Sequence, residues 1–208
     1  MNPFKNKKKT RPSHLAASRG DGFAGPILNR LFAGGADAFA KDEKSNSIVH
    51  QLMKLDYTYP SDLTLVLEVQ NWQMSILKSK IPEIKNNKGA TPLLLATKFK
   101  NGVSNNSNEI NNDHYWAINE LLLYGANPDI KNDDGWTPLM LYARQGIDPD
   151  TFSLLLDYSE KPCEGEIKKG KSEGMTTLGI LKFNKVLLDK ANYEEKYPLQ
   201  LFKERCPY

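Results

Sequence analysis

The chain has 208 residues, 39% of them hydrophobic and 25% charged, the proportions of an ordinary globular protein long enough to bury a continuous core. Its net charge of +3 is local: Lys5, Lys7, Lys8, Lys9 and Arg11 supply +5 with no acid among the first eleven residues, which leaves −2 for residues 12–208. The body is therefore not a basic nucleic-acid-binding surface. No apolar run approaches the roughly 18–20 residues that cross a bilayer, and the basic start is not followed by the apolar core of a secretory signal.

Residues 1–9 read as a disordered, solvated basic tail, with contact to phosphate or anionic lipid, or an import signal, as its other uses. From residue 10 onward the chain reads as helix pairs. Arg11-Pro-Ser-His-Leu-Ala-Ala-Ser-Arg-Gly20 opens a first helix, and Ile27, Leu28, Leu31 and Phe32 carry a second that runs into Gly34-Gly-Ala-Asp37. Ser47-Ile-Val-His50 opens the next pair, whose second helix falls within 62–78. Thr91 and Pro92 then start a helix in the proper order, because a threonine hydroxyl accepts an orphan backbone N–H and the fixed φ of proline suits the first helical position. A polar run at 100–112 reads as a mobile loop before a second helix from about 113 to 124. There Gly125 supplies the left-handed residue that ends a helix.

Gly135, Thr137 and Pro138 repeat the start at 89–92, and a partner helix from 148 or 149 buries Phe152, Leu154, Leu155 and Leu156. A last start lies at Gly174-Met-Thr-Thr-Leu178, and Val186-Leu-Leu-Asp-Lys-Ala-Asn192 echoes the end phrase at 121–127. The stretch Asn127–Leu141 restates Ile81–Leu95 almost residue for residue, 46 positions on. Start positions 11, 47, 91, 137 and 176 are 36, 44, 46 and 39 apart. The intervals are unequal, so the units carry insertions of different length.

Gly-x-Thr-Pro-Leu at 89–93 and 135–139, with Leu-Leu-x-x-Gly-Ala-Asn at 121–127, are the phrases of the ankyrin repeat, and the chain resembles that family over most of its length. The resemblance implies an all-α solenoid of about five helix-turn-helix units joined by hairpin loops, at 10–44, 45–85, 86–131, 132–171 and a degenerate cap at 172–208. It implies a non-enzymatic module that holds an unidentified protein partner on a concave surface, and a monomer is expected. It also places Trp136 in an exposed slot between turn and helix, with Ala90 as its counterpart. Asn87, Lys88, Asp133 and Asp134 take the hairpin tips, and Lys98, Phe99, Arg144 and Gln145 the ends of first helices. Trp136 is the expected anchor, since tryptophan and arginine most often carry interfaces, the alternative being that it folds back onto an adjacent hairpin and stabilises it.

Rival chemistries find little in the residues. His14 and His50 fall at the family's structural histidine, where the ring bridges hydroxyl and backbone groups of adjacent repeats. No His-Glu-x-x-His and no Cys/His cluster supports a zinc site. Lys131 spoils the faint calcium-loop pattern at 132–135. No cofactor, metal or catalytic residue is expected. An enzymatic cleft near His114 and the polar loop, or nucleic-acid binding through residues 5–11, are the alternatives in other classes. Trp72, Trp116 and Tyr115 are expected in the core, while Tyr142 either widens the spacing of repeats or reaches the surface. Cys163 and Cys206 make no motif and no disulfide framework, which suits a reducing compartment and a cytoplasmic location. The Asn/Lys-rich composition and divergent repeats look like ankyrin proteins that intracellular bacteria deliver into the host cytosol.

Overall fold

A computed structural model describes residues 11–55, 60–76, 83–98, 112–145, 149–164, 166–170, 173–181 and 198–206. The basic tail, most of the polar run at 100–112 and the phrase at 186–192 lie outside them. The chain divides into two compact units, Met1–Ala96 with Lys100–Ala126, and Thr97–Phe99 with Asn127–Tyr208. The architecture is all-α, and no strand occurs among the described residues.

The first unit holds α1 (Pro12–Ala17), α2 (Ala24–Ala33), α3 (Ile48–Leu52), α4 (Pro60–Ile76), α5 (Pro92–Ala96) and α6 (Asn112–Leu123). Short first helices alternate with longer second ones. Each packs on its own partner, α1 on α2, α3 on α4 and α5 on α6, and on the equivalent helix of the next pair, α1 on α3, α3 on α5, α2 on α4 and α4 on α6. Helices of five or six residues have no stability alone. They persist because Ile48, Leu52, Leu93 and Leu94 are fully buried between pairs, with Leu28, Leu63 and Ile118 from the second helices.

The second unit holds α7 (Pro138–Gln145), α8 (Pro149–Tyr158), a helical stretch at 177–181 and a C-terminal helix, Pro198–Arg205. Here α7 and the C-terminal helix both pack on α8. Met140, Phe152, Leu155, Ile167 and Phe202 are its fully buried large side chains.

Start and stop residues act through specific atoms. The Oγ1 of Thr91, Thr137 and Thr176 accepts the backbone N–H three residues on, from Leu94 (3.2 Å), Met140 (3.2 Å) and Gly179 (3.3 Å). Ser47 does the same for His50. Arg11 stands at the fifth such position and makes no side-chain cap. At the end of α6 the N–H of Ala126 donates to Leu121 O and that of Gly125 to Leu122 O, both at 2.9 Å, and Ala36 and Gly35 repeat this after α2.

Between pairs, one short polar residue organises each hairpin. Asp42 Oδ1 accepts the N–H of Lys44 and Asn46 (both 2.8 Å), Asn86 Oδ1 those of Lys88 (2.9 Å) and Ala90 (3.1 Å), and Asn132 Oδ1 those of Asp134 (3.1 Å) and Trp136 (2.9 Å). Neighbouring hairpins are then tied by backbone: Asn87 N–H donates to Lys44 O (2.9 Å) in the first unit, and Lys168 N–H to Asp134 O (2.8 Å) in the second. The carboxylates at 132–135 thus belong to a turn.

One expectation is overturned. Cys163 and Cys206 are joined by a disulfide across 43 residues, with Cα atoms 5.7 Å apart. The bridge links the turn after α8 to the end of the C-terminal helix. Nothing in the spacing of two isolated cysteines announces it, because it depends on where the chain returns after residue 181.

Candidate functional site

The two histidines at the repeat position are structural. His50 Nε2–H donates to Ala90 O at 2.9 Å, forty residues away, while its Nδ1 takes the Ser47 N–H (3.1 Å) and lies 2.8 Å from Ser47 Oγ. His14 Nε2–H donates to Asn46 O at 2.9 Å, but its buried Nδ1 has no partner. Burial pushes both rings toward the neutral form, His50 down to about 4. A neutral ring with one donating and one accepting nitrogen is what these bonds require, so both act as rivets between repeats.

Asp62, another buried ionisable group, lies in the first turn of α4. Its Oδ1 sits against the Gly25 backbone, so near that a Cβ there would be 2.6 Å away, and burial raises its pKa. Among the described residues no group of three His, Cys, Asp or Glu could hold a metal ion, and no helix is long and apolar enough to span a membrane. Only α6 carries His114, and its side chain lies outside the described residues, as does the polar loop of the proposed cleft.

The residues expected to meet a partner divide by burial. In the first unit Asn87 and Lys88 are exposed at a hairpin tip, and Asn87 Nδ2 reaches Glu43 O of the preceding hairpin at 3.3 Å. Ala90, expected as a contact residue, is only 2% exposed. In the second unit Asp133 and Asp134 are exposed at the tip and Arg144 is exposed near the end of α7. Gln145 ends α7, but its side chain lies outside the described residues, as does the whole of Phe99.

Trp136 corrects the expectation of an exposed anchor: it is 8% exposed. The reason is shared with Ala90 and with Asn46, which is 2% exposed at the same hairpin position. In all three the backbone N–H goes to the hairpin's Asp or Asn, and the backbone carbonyl accepts the N–H of that same residue: Asp42 to Asn46 (2.9 Å), Asn86 to Ala90 (3.0 Å) and Asn132 to Trp136 (3.0 Å). With both backbone groups committed to the hairpin, the residue turns inward.

What reaches water is the side chain stacked on the indole. The Arg144 guanidinium carbon lies 5.3 Å from the centroid of the Trp136 ring. A planar cation on an aromatic face keeps its N–H edge free for a carboxylate or phosphate and loses little freedom when it binds one.

Other aromatic and polar readings also sort out. Tyr142 is 3% exposed, so it packs inside and does not reach the surface. Tyr115, expected in the core, is 39% exposed, and Trp116 is half-buried, while the Trp72 side chain lies outside the described residues. One polar residue escaped sequence reasoning. Asp129 accepts the Ser159 hydroxyl and the N–H groups of Glu160 (2.9 Å) and Lys161 (3.2 Å), and so fixes the turn that follows α8. Its signal is the Asn-Pro-Asp order at 127–129, which reads equally well as a plain loop.

The family model of ankyrin repeats, in three copies, matches residues 107–195. No curated protein matches the sequence. The match begins ahead of α6 and takes in the hairpin at 132–136 and the pair α7–α8, while the first unit shows the same capped starts and glycine stops. Residues 107–195 are ankyrin repeats, and the helix pairs of the first unit are built in the same way.

Proposed function

We propose that this chain is a non-enzymatic recognition module that binds a partner protein through exposed residues of its hairpin tips and first helices. Ankyrin repeats are in general protein–protein interaction modules. Arg144 held on Trp136, with Asp133 and Asp134 exposed at the adjoining tip, is the observation that carries the reading. The indole supports the cation and the carboxylates add polar registration, while Asn87 and Lys88 are separate candidates in the first unit. Phe99 and Gln145, whose side chains lie outside the described residues, and the buried Ala90 are the remaining candidates. A preformed surface loses little conformational entropy on binding, so a few anchors suffice.

Affinity capture tests this, with Arg144→Glu and Asp133→Lys run beside the wild type and every bait checked for folding by circular dichroism. A protein retained by the wild type and lost by both folded variants supports the site. Identical captures from all three baits overturn it. The finer reading, a protein that a bacterium delivers into the host cytosol, is supported by the Asn/Lys-rich composition and the divergent repeats. A translocation reporter fused to the chain tests that reading by itself.

A further inference from the structure

The C-terminal helix is eight residues long, too short to be stable without tertiary support. Three attachments hold its end. Phe202 is 1% exposed in the apolar core of the second unit. Arg205 Nη2 donates to the carbonyls of Leu156 (3.2 Å) and Asp157 (3.4 Å), the last turn of α8, and its Nη1 lies 3.6 Å from Asp157 Oδ1. The third is covalent, Cys206 to Cys163.

The two sulfurs live in different settings. Cys206 is 3% exposed, whereas Cys163 is exposed in a turn fixed by Asp129 through Ser159, Glu160 and Lys161. One end of the bridge is thus anchored to a turn fixed by Asp129 and open to solvent, and the other is buried at the end of an eight-residue helix. The Arg205–Asp157 ion pair is about half exposed at both ends and adds little. With the bridge cut, the attachments among the described side chains are the burial of Phe202 and Cys206, the two hydrogen bonds of Arg205 and its exposed ion pair.

We propose that the Cys163–Cys206 bridge is a thiol-sensitive latch, closed in oxidising surroundings and opened by a thiol or dithiol reductant, which frees the C-terminal helix from α8. The chemistry is exchange at the accessible sulfur. A reductant thiolate attacks Cys163 Sγ, the protein S–S bond breaks, and Cys206 leaves as a thiolate and takes a proton. A second reductant thiol attacks the mixed disulfide, releasing the Cys163 thiol and the oxidised reductant. Two electrons pass from two reductant thiols to the protein bridge. Opening uncovers the last turn of α8, including the carbonyls of Leu156 and Asp157 that Arg205 had satisfied.

Peptide mass spectrometry of the air-oxidised full chain under non-reducing conditions, followed by hydrogen exchange with and without dithiothreitol, tests the latch. The expected result is a Cys163–Cys206 cross-linked peptide. On reduction, amide exchange should rise at least tenfold in 198–206 and at the end of α8, with α1 to α5 unchanged. Cys163→Ser should show the reduced pattern under both conditions, and Cys206→Ser guards against an effect of one substitution alone. Absence of the linked peptide overturns the proposal. So does unchanged exchange on reduction, and so does loss of protection throughout the chain, which would make the bridge a global staple.

Discussion

His50 and Ala90, forty residues apart, are joined by a hydrogen bond of 2.9 Å from the imidazole to the backbone carbonyl, with the histidine ring wholly buried. The Nε2–H can donate to Ala90 O in either protonation state, but a proton on Nδ1 displaces the N–H that Ser47 donates there. The rivet is therefore sensitive to pH.

Burial lowers the His50 pKa from 6.5 to about 4, with Lys54 pushing the same way and the bond to Ala90 opposing. The unfolded chain takes up a proton below pH 6.5, while the folded chain resists until about pH 4. Stability from this group is complete above 6.5 and is lost as the pH falls toward 4, a change on the order of 3 kcal/mol in all. His14, lowered by burial too, adds in the same direction. Asp62, raised by burial, opposes it, because its contribution is lost as the pH rises. The urea midpoint should therefore drop between pH 7 and pH 5, and His50→Gln should remove a substantial part of that slope. Parallel slopes in the two proteins would contradict the assignment.

The first repeat lacks one half of this device, which makes a stabilising change possible. His14 Nδ1 is buried without a partner, and the residue three positions earlier, where Ser47 stands relative to His50, is Arg11. Arg11 has φ −86° and ψ 153°, close to the φ −78° and ψ 174° of Ser47, so a serine fits without strain. Arg11→Ser should cap α1 and satisfy the orphan nitrogen, and is expected to raise the unfolding free energy by about 1 kcal/mol. Thermal denaturation of the two proteins, backed by the imidazole nitrogen shifts of His14, checks it.

These local devices were legible in the sequence because each is written within a few residues. A threonine before a proline, a glycine after a run of leucines and a histidine three residues past a hydroxyl specify backbone geometry without knowledge of the rest of the chain. Trp136 and Ala90 were misread for the complementary reason. Whether their slot faces water depends on hydrogen bonds that close the whole hairpin, and on what lies beneath it. The Cys163–Cys206 bridge was invisible for the same cause at longer range, since it joins a turn to a helix 43 residues away. Of the expected contact residues, Arg144, Asp133, Asp134, Asn87 and Lys88 are exposed as their slots suggested, but the tie between Arg144 and Trp136 could not be seen in a spacing of eight.

Hairpin tips repeat one left-handed residue, and its tolerance to substitution differs between repeats. Gly135 has φ +89°, and a Cβ there would lie 2.7 Å from Glu166 O and 2.8 Å from Lys168 N, both backbone atoms of the following hairpin. Gly135→Ala meets the left-handed penalty of about 1–2 kcal/mol and a clash that only backbone movement relieves, and should cost about 3 kcal/mol or more. Ser45 takes φ +58° at the equivalent position of an earlier hairpin. Ser45→Gly relieves that strain and should gain up to about 1 kcal/mol after the entropy cost of glycine. Opposite shifts in denaturation midpoint are expected, and loss of stability in both variants would refute the equivalence of the two tips.

Arg144 and Trp136 should separate binding from folding. Trp136 is 8% exposed, so Trp136→Ala opens a cavity and is expected to cost about 3–5 kcal/mol, enough to perturb the second unit. Arg144 is exposed and stacks on the ring without burying its charge, and such a contact contributes about 0.5–1 kcal/mol. Arg144→Glu should therefore leave the denaturation midpoint nearly unchanged while abolishing partner capture, and Arg144→Lys should restore capture only in part, because an ammonium cannot offer the forked pair of donors. Folding is followed by urea titration monitored through tryptophan fluorescence, binding by pull-down with the same preparations. If Arg144→Glu instead unfolds the protein as readily as Trp136→Ala does, the arginine is a structural lid on the indole, and the recognition surface must be sought at Asp133 and Asp134.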